Sequence, residues 1–294
     1  MKREDVFEKL HPAVSFVYFS FIVLVTAFFM NPIVLLISFF GAFTYAAYTE
    51  GFRGLKNLFG FLVPLCVAAA VINPAFSHMG VTILCYLPSG NPLTAESIIY
   101  GIFAALLIAA TVLWFRNINR TFTSDKFIYL FGKIAPALSL VLSMILRFVP
   151  QFKKQLKRIN EAQSTIGCNV HEGNILKRIK NGITVLSVLI TWSLENSLDT
   201  ADSMRSRGYG TSKRTAYAIY KFEDRDRNML ICILLCGAVF TVGILTKSLY
   251  YRYFPSVKIL NANAATVIFL LSFVFLTQLP VVYNCYVKGC IKNG

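Results

Sequence analysis

The residues best suited to binding chemistry lie about two thirds of the way along the chain, in the run 203–210, which reads Ser-Met-Arg-Ser-Arg-Gly-Tyr-Gly. Gly208 can end a helix in the left-handed conformation that other residues resist. Arg205 and Arg207 would then project from the last turn, where cations interact favourably with the helix dipole. Two interpretations stay open: a helix end with basic residues, or an arginine that enters an acidic groove of a partner, since a planar guanidinium suits paired carboxylates.

Patterns for catalysis and metal binding are absent from the sequence. There is no G-x-x-x-x-G-K-[ST] phosphate loop, so we do not expect the chain to hydrolyse ATP itself. There is no G-x-S-x-G nucleophile motif. The three histidines are far apart, and the seven cysteines lack the spacing of metal ligands. We therefore expect a non-catalytic chain without a bound metal or cofactor.

Composition places the chain in the membrane. Hydrophobic residues make up 56% of it and the mean hydropathy is +0.60, whereas soluble domains contain roughly 45–50% apolar residues. Of the 29 Lys and Arg residues, 15 lie in 147–227, together with 8 of the 14 Asp and Glu. Cytoplasmic loops of membrane proteins retain such basic residues, so we expect the lipid bilayer as a partner and no nucleic acid.

Six apolar segments predict an all-α polytopic membrane protein with about six transmembrane helices. A spanning helix needs about 20 mostly apolar residues, and the third segment is short. The Asn31-Pro32 pair predicts a tight connection between the first two helices, because proline cannot continue the preceding helix without a kink. The segments are 14–30, 32–48, 58–72, 97–115, 229–246 and 264–282.

The basic residues also predict the orientation. No Lys or Arg occurs between Lys56 and Arg116, so the loop 73–96 is expected outside and both termini in the cytoplasm of a multi-pass cell-membrane protein. Within that loop, the β-favouring residues 81–86 are followed by turn residues at 88–92, which predicts a short hairpin.

Between the two membrane regions, the chain predicts cytoplasmic amphipathic helices. The apolar run 127–149 would place the following basic residues outside if it crossed the bilayer, so we expect it to lie at the cytoplasmic face. Three apolar residues, Phe152, Leu156 and Ile159, share one predicted helix face, and Leu194 and Leu198 belong to a second amphipathic helix. The predicted domains are a four-span region, a cytoplasmic helical region and a two-span region, at 1–120, 121–227 and 228–294.

These residues resemble a known family, the transmembrane T component (EcfT/CbiQ-like) of energy-coupling factor (ECF) transporters. In that family, two cytoplasmic helices each end in an Ala-Arg-Gly-type motif. The second motif is similar to Ser206-Arg207-Gly208, whereas the first corresponds to Thr165-Ile166-Gly167, where the arginine is missing. Further similar stretches are Arg-Phe-Val-Pro at 147–150, Glu-Ala-Gln at 161–163 and Asn-Pro-Leu-Thr at 91–94.

The resemblance implies an energy-coupling scaffold of an ECF-type ABC importer for a vitamin or a metal. Two ABC-type ATPase subunits, which carry the ATP, would dock on the helix ends, and a small membrane subunit would bind the substrate. The expected docking residues are Arg205, Ser206, Arg207, Gly208, Thr165, Ile166 and Gly167.

An alternative is a stand-alone transporter or channel with a basic cytoplasmic regulatory domain. Such a chain would move its substrate alone, through ionisable groups near the middle of the membrane. The six predicted spans contain none, which favours the scaffold.

Overall fold

A computed structural model of the chain describes residues 6–77, 80–86, 92–132, 135–168, 173–211, 220–253 and 263–293. Within them, the backbone is helical apart from one two-stranded sheet and short connections. The helices are α1 (Pro12–Phe28), α2 (Pro32–Phe76), α3 (Ala95–Thr121), α4 (Ser124–Gly132), α5 (Pro136–Thr165), α6 (Ile175–Ser206), α7 (Asp224–Leu245) and α8 (Ala264–Asn293).

The apolar helices coincide with all six predicted segments. By length and composition, four stretches of the described residues could cross a membrane, and two further apolar helices are shorter. This confirms the fold class, an all-α polytopic membrane protein. The four longer stretches are Pro32–Gly51, Ala95–Thr121, Asp224–Leu245 and Ala264–Gly289, and the shorter helices are Pro12–Phe28 and Gly60–Phe76.

A tight connection joins α1 to α2, as the sequence predicted. Pro32 occupies the first turn of α2, where its missing N–H needs no partner. The Asn31 side chain accepts a hydrogen bond from the Ile33 N–H at 3.0 Å and donates one to the Leu249 carbonyl at 2.8 Å. One buried side chain therefore both starts α2 and binds the segment after α7.

The helix α2 consists of two helices that meet at Gly51. The backbone there has φ 71° and ψ 171°, a conformation that favours glycine because it has no Cβ. Arg116 of α3 pairs with the Glu50 carboxylate before the break and donates to the Gly54 carbonyl after it, at 3.2 Å. The break falls between the predicted segments 32–48 and 58–72.

The chain divides into two compact units, of which the first combines Met1–Phe127 with Tyr220–Gly294. Distant parts of the sequence join there. The Asn284 side chain of α8 accepts hydrogen bonds from the N–H groups of Val6, at 2.7 Å, and Phe7, at 3.2 Å. The N-terminal and C-terminal membrane regions, which the sequence analysis treated separately, therefore share one core.

Aromatic rings fill much of that core. The rings of Phe240 on α7 and Phe273 on α8 stack with their centroids 4.6 Å apart. Tyr18, Tyr45 and Trp114 are fully buried, and the Trp114 indole donates to the hydroxyl of a buried serine in α2 at 2.9 Å. Rings of this size dominate core packing, and a buried indole N–H needs such a partner.

A short antiparallel hairpin precedes α3, as predicted. Strand β1 (Ile83–Tyr86) pairs with β2 (Pro92–Thr94), and the register is shifted between Ile83 and Cys85. Of the predicted turn residues 88–92, Pro92 begins β2 and the others lie outside the described residues. The hairpin is fastened to α3 because the Thr82 hydroxyl donates to the Glu96 carboxylate at 2.7 Å. Its location on the external side stays a prediction.

The second unit is Ile128–Ile219 and contains α5 and α6. The apolar run 127–149 is divided between two helices, since α4 ends at Gly132 and α5 begins at Pro136. Among the described residues, neither helix is long and apolar enough to count as a membrane span. The position of this run at the cytoplasmic face stays a prediction.

Candidate functional site

The site is built on α5 and α6, which pack against each other. The Phe152 ring of α5 meets the Trp192 ring of α6 edge to face, with centroids 5.7 Å apart and planes at 77°. Phe148 stacks on Phe152 at 6.1 Å. Ile159 of α5 and Val185 of α6 are both buried. These apolar contacts fix α6 beside α5, and so they position the ends of both helices.

The predicted apolar faces are only partly used in this pair. Phe152 and Ile159 turn towards α6, but Leu156 is 43% exposed, and Leu194 and Leu198 of α6 are 62% and 69% exposed. Residues seven apart nearly align on a helix, whereas Leu156 is rotated by about 40° from Phe152. The predicted single face of α5 is therefore divided into a packed part and an outward-facing rim.

The end of α5 is closed by a glycine. Gly167 has φ +81°, its N–H donates to the Ser164 carbonyl at 3.1 Å, and the Cys168 N–H donates to the Gln163 carbonyl at 3.0 Å. This pair of bonds is the Schellman motif, which satisfies carbonyls that the helix itself leaves without donors. Ile166 is the last residue before the glycine.

The end of α6 has the same construction, as the sequence predicted for Gly208. Its φ is +77°, its N–H donates to the Arg205 carbonyl at 3.0 Å, and the Tyr209 N–H donates to the Met204 carbonyl at 3.0 Å. Arg207 is the last residue before this glycine. The two motifs Thr165-Ile166-Gly167 and Ser206-Arg207-Gly208 therefore adopt equivalent backbone structures.

The two ends differ in the side chain that they present. The residues before the glycines have nearly the same backbone, with φ −92° and ψ 4° at Ile166 and φ −83° and ψ 9° at Arg207. Ile166 is 72% exposed, and Arg207 is also exposed, together with Ser206 and Arg205, one and two positions before it. One end thus offers an aliphatic group, and the other a guanidinium.

The described residues offer little for metal or cofactor chemistry. No three His, Cys, Asp or Glu side chains among them are grouped so that they could hold a metal ion. The His11 ring caps α1, since its Nδ1 accepts a hydrogen bond from the Ala13 N–H at 3.2 Å. His78 and His171 lie outside the described residues.

Sequence reasoning missed the buried side of α6. Asn181 and Val185 are buried, and Trp192 meets Phe152. These three positions are separated by four and seven residues, which is the spacing of one helix face. That spacing was present in the sequence. However, a second set of apolar residues, which includes Leu194 and Leu198, has the same period, and the predicted apolar face was assigned to that set.

Comparison with known proteins matches most of the chain to one family. Residues 4–217 match the family CbiQ, described as cobalt transport protein. The match spans 214 of the 294 residues and includes both helix ends of the candidate site.

Several characterised relatives share the name energy-coupling factor transporter transmembrane protein EcfT. Those of Lactococcus lactis, Lactobacillus helveticus and Streptococcus thermophilus are 38%, 35% and 35% identical to the chain over 99, 102 and 106 residues. These matches cover 33%, 34% and 36% of the chain. They cover only 37%, 37% and 40% of the relatives' own length.

Proposed function

Because the chain belongs to the CbiQ family, as the transmembrane T component of an energy-coupling factor transporter, we propose that it is the non-catalytic coupling scaffold of an ABC importer. Two ABC-type ATPase subunits dock on it from the cytoplasm. Their closure on ATP moves α5 and α6. A small membrane subunit, which binds the vitamin or metal, receives that motion.

The observation that carries this proposal is the repeated helix end. Two helices of one packed pair end in the same Schellman motif, each with an exposed side chain just before the glycine. A fixed backbone presents that side chain at low entropic cost, which favours binding. Two equivalent ends suit a pair of related ATPase subunits.

The two contacts differ in their chemistry. Arg207 suits a groove with paired carboxylates, which a planar guanidinium binds through two hydrogen bonds. Ile166 suits an apolar pocket, because its burial removes exposed aliphatic surface from water. The missing arginine of the first motif thus makes the two ATPase contacts unequal.

The exposed rim of the helix pair is the surface that passes on the motion. Leu156, Leu194 and Leu198 face outward, whereas Phe152 and Ile159 hold α5 to α6. The pair can therefore move as one body while its rim slides on the apolar surface of the substrate-binding subunit. A sliding contact of this kind needs an amphipathic helix with one solvated side.

Affinity purification of the tagged full chain in mild detergent tests the proposal. We expect two ATPase subunits and a small membrane protein to co-purify, with ATPase activity. Arg207→Ala removes one partner of the proposed buried ion pair, which costs about 3–5 kcal/mol, so the Kd for the ATPase subunits should rise more than about 100-fold and their recovery should fall.

Arg158→Ala serves as the matched control, because it removes an exposed arginine of α5 that lies away from the helix ends. Its ATPase recovery should equal that of the wild type. A chain that purifies without ATPases and transports solute alone in vesicles would instead establish the stand-alone transporter.

A further inference from the structure

An exposed apolar stripe runs along the first half of α6. Its residues recur every three or four positions, as on one side of a helix. The buried residues Asn181 and Val185 lie between them in sequence and face α5, so the stripe occupies another side of the helix. Each stripe residue is more than half exposed: Ile175, Ile179, Ile183 and Leu186.

Charge is distributed unevenly along α6. In 175–194, the helix carries Lys177, Arg178 and Lys180 and no Asp or Glu. In 195–202 the pattern reverses, with three acidic residues and no Lys or Arg. Arg178 and Lys180 are both exposed. At 100° per residue, they lie on opposite sides of the stripe, each about 100° from its centre, whereas Lys177 lies almost opposite it. The stripe therefore has a basic side chain of α6 at each edge.

We infer that this first half of α6 binds the anionic phospholipid surface of the bilayer. The four stripe residues with Arg178 and Lys180 form what we call the basic apolar face. Helices with an apolar side and basic residues beside it lie in the membrane interface, and anionic headgroups attract basic residues close to them. A negatively charged surface repels the acidic second half of α6, which leaves Leu194 and Leu198 to a protein partner.

This inference goes beyond the proposed function and does not depend on ATPase docking. A lysine or arginine near an anionic membrane surface favours the bound state by about five-fold. Neutralising Arg178 and Lys180 together should therefore weaken binding to anionic lipid by up to about 30-fold. The attraction is screened by salt over about 10 Å at 0.1 M.

Amide hydrogen exchange of the full chain in lipid nanodiscs tests the inference. One set of discs contains only phosphatidylcholine, and the other also contains phosphatidylglycerol. Peptides from 175–186 should exchange more slowly in the anionic discs, and high salt should remove the difference. Comparing two lipids for each variant cancels any effect of a substitution on helix stability itself.

In Arg178→Gln/Lys180→Gln, the ratio of exchange rates between the two lipids should fall by up to about 30-fold, towards one. Lys221→Gln/Lys247→Gln changes the net charge equally at exposed positions outside α6 and should keep the wild-type ratio. Equal exchange in both lipids would overturn the inference, as would an equal loss in both variants. Protection that appears only after the co-purified membrane subunit is added would assign the face to a protein.

Discussion

The glycine at the end of α6 gives the sharpest test of how Arg207, the proposed docking arginine, is presented. In Gly208→Ala, the cap can form only if alanine adopts φ +77°, which costs about 1–2 kcal/mol for a residue with a Cβ. The new Cβ would also lie 3.3 Å from the Thr211 hydroxyl oxygen. Alanine therefore favours an open cap in the free chain, and closing the cap on binding costs up to this amount.

The expected consequence is a Kd for the ATPase subunits that rises by about 5–30-fold. Gly208→Asn should lie between alanine and wild type, because asparagine tolerates the left-handed conformation. The assay is a titration of the co-purified ATPase subunits onto the full chain in nanodiscs, followed by biolayer interferometry.

The matched control is Gly182→Ala in the interior of α6, where an added Cβ meets nothing within 4 Å. It should favour the helix by about 1 kcal/mol and leave the Kd unchanged. If Gly208→Ala binds as tightly as the wild type, or if both alanine variants weaken binding equally, the cap does not present the docking arginine.

Three further predictions have defined outcomes. Ile166→Arg should weaken ATPase binding at least tenfold in the same titration, because it places a charge in the proposed apolar pocket; tighter binding would mean that this pocket is acidic. Asn284→Ala leaves two backbone N–H groups without their acceptor and should lower the free energy of unfolding by about 1–3 kcal/mol per group, read as a lower Tm. Gly243→Ala places a Cβ 2.6 Å from a ring carbon of α8 and should lower the Tm. Gly237→Ala should change the Tm less, because its nearest ring carbon, on α1, is 3.4 Å away. Equal Tm values for the two variants would contradict the packing of α7 on α8.

Features that depend on near neighbours could be predicted from the sequence alone. Stretches of apolar residues located the membrane helices, Pro32 marked the start of α2, and Gly208 marked the end of α6. A helix start, a helix end or a hairpin is decided by residues within about four positions, so these predictions needed no knowledge of the rest of the chain.

The tertiary structure was needed to show which distant groups and which apolar faces meet. Nothing local in the sequence pairs Asn284 with the N–H groups of Val6 and Phe7, which lie 278 and 277 positions away. In the same way, Leu156 and Ile159 are both apolar, yet only Ile159 is buried in the described structure. Lipid chains are as apolar as leucine, so hydrophobicity alone does not distinguish a face that packs on protein from one that faces lipid or a partner. Side-chain shape and long-range packing make that choice.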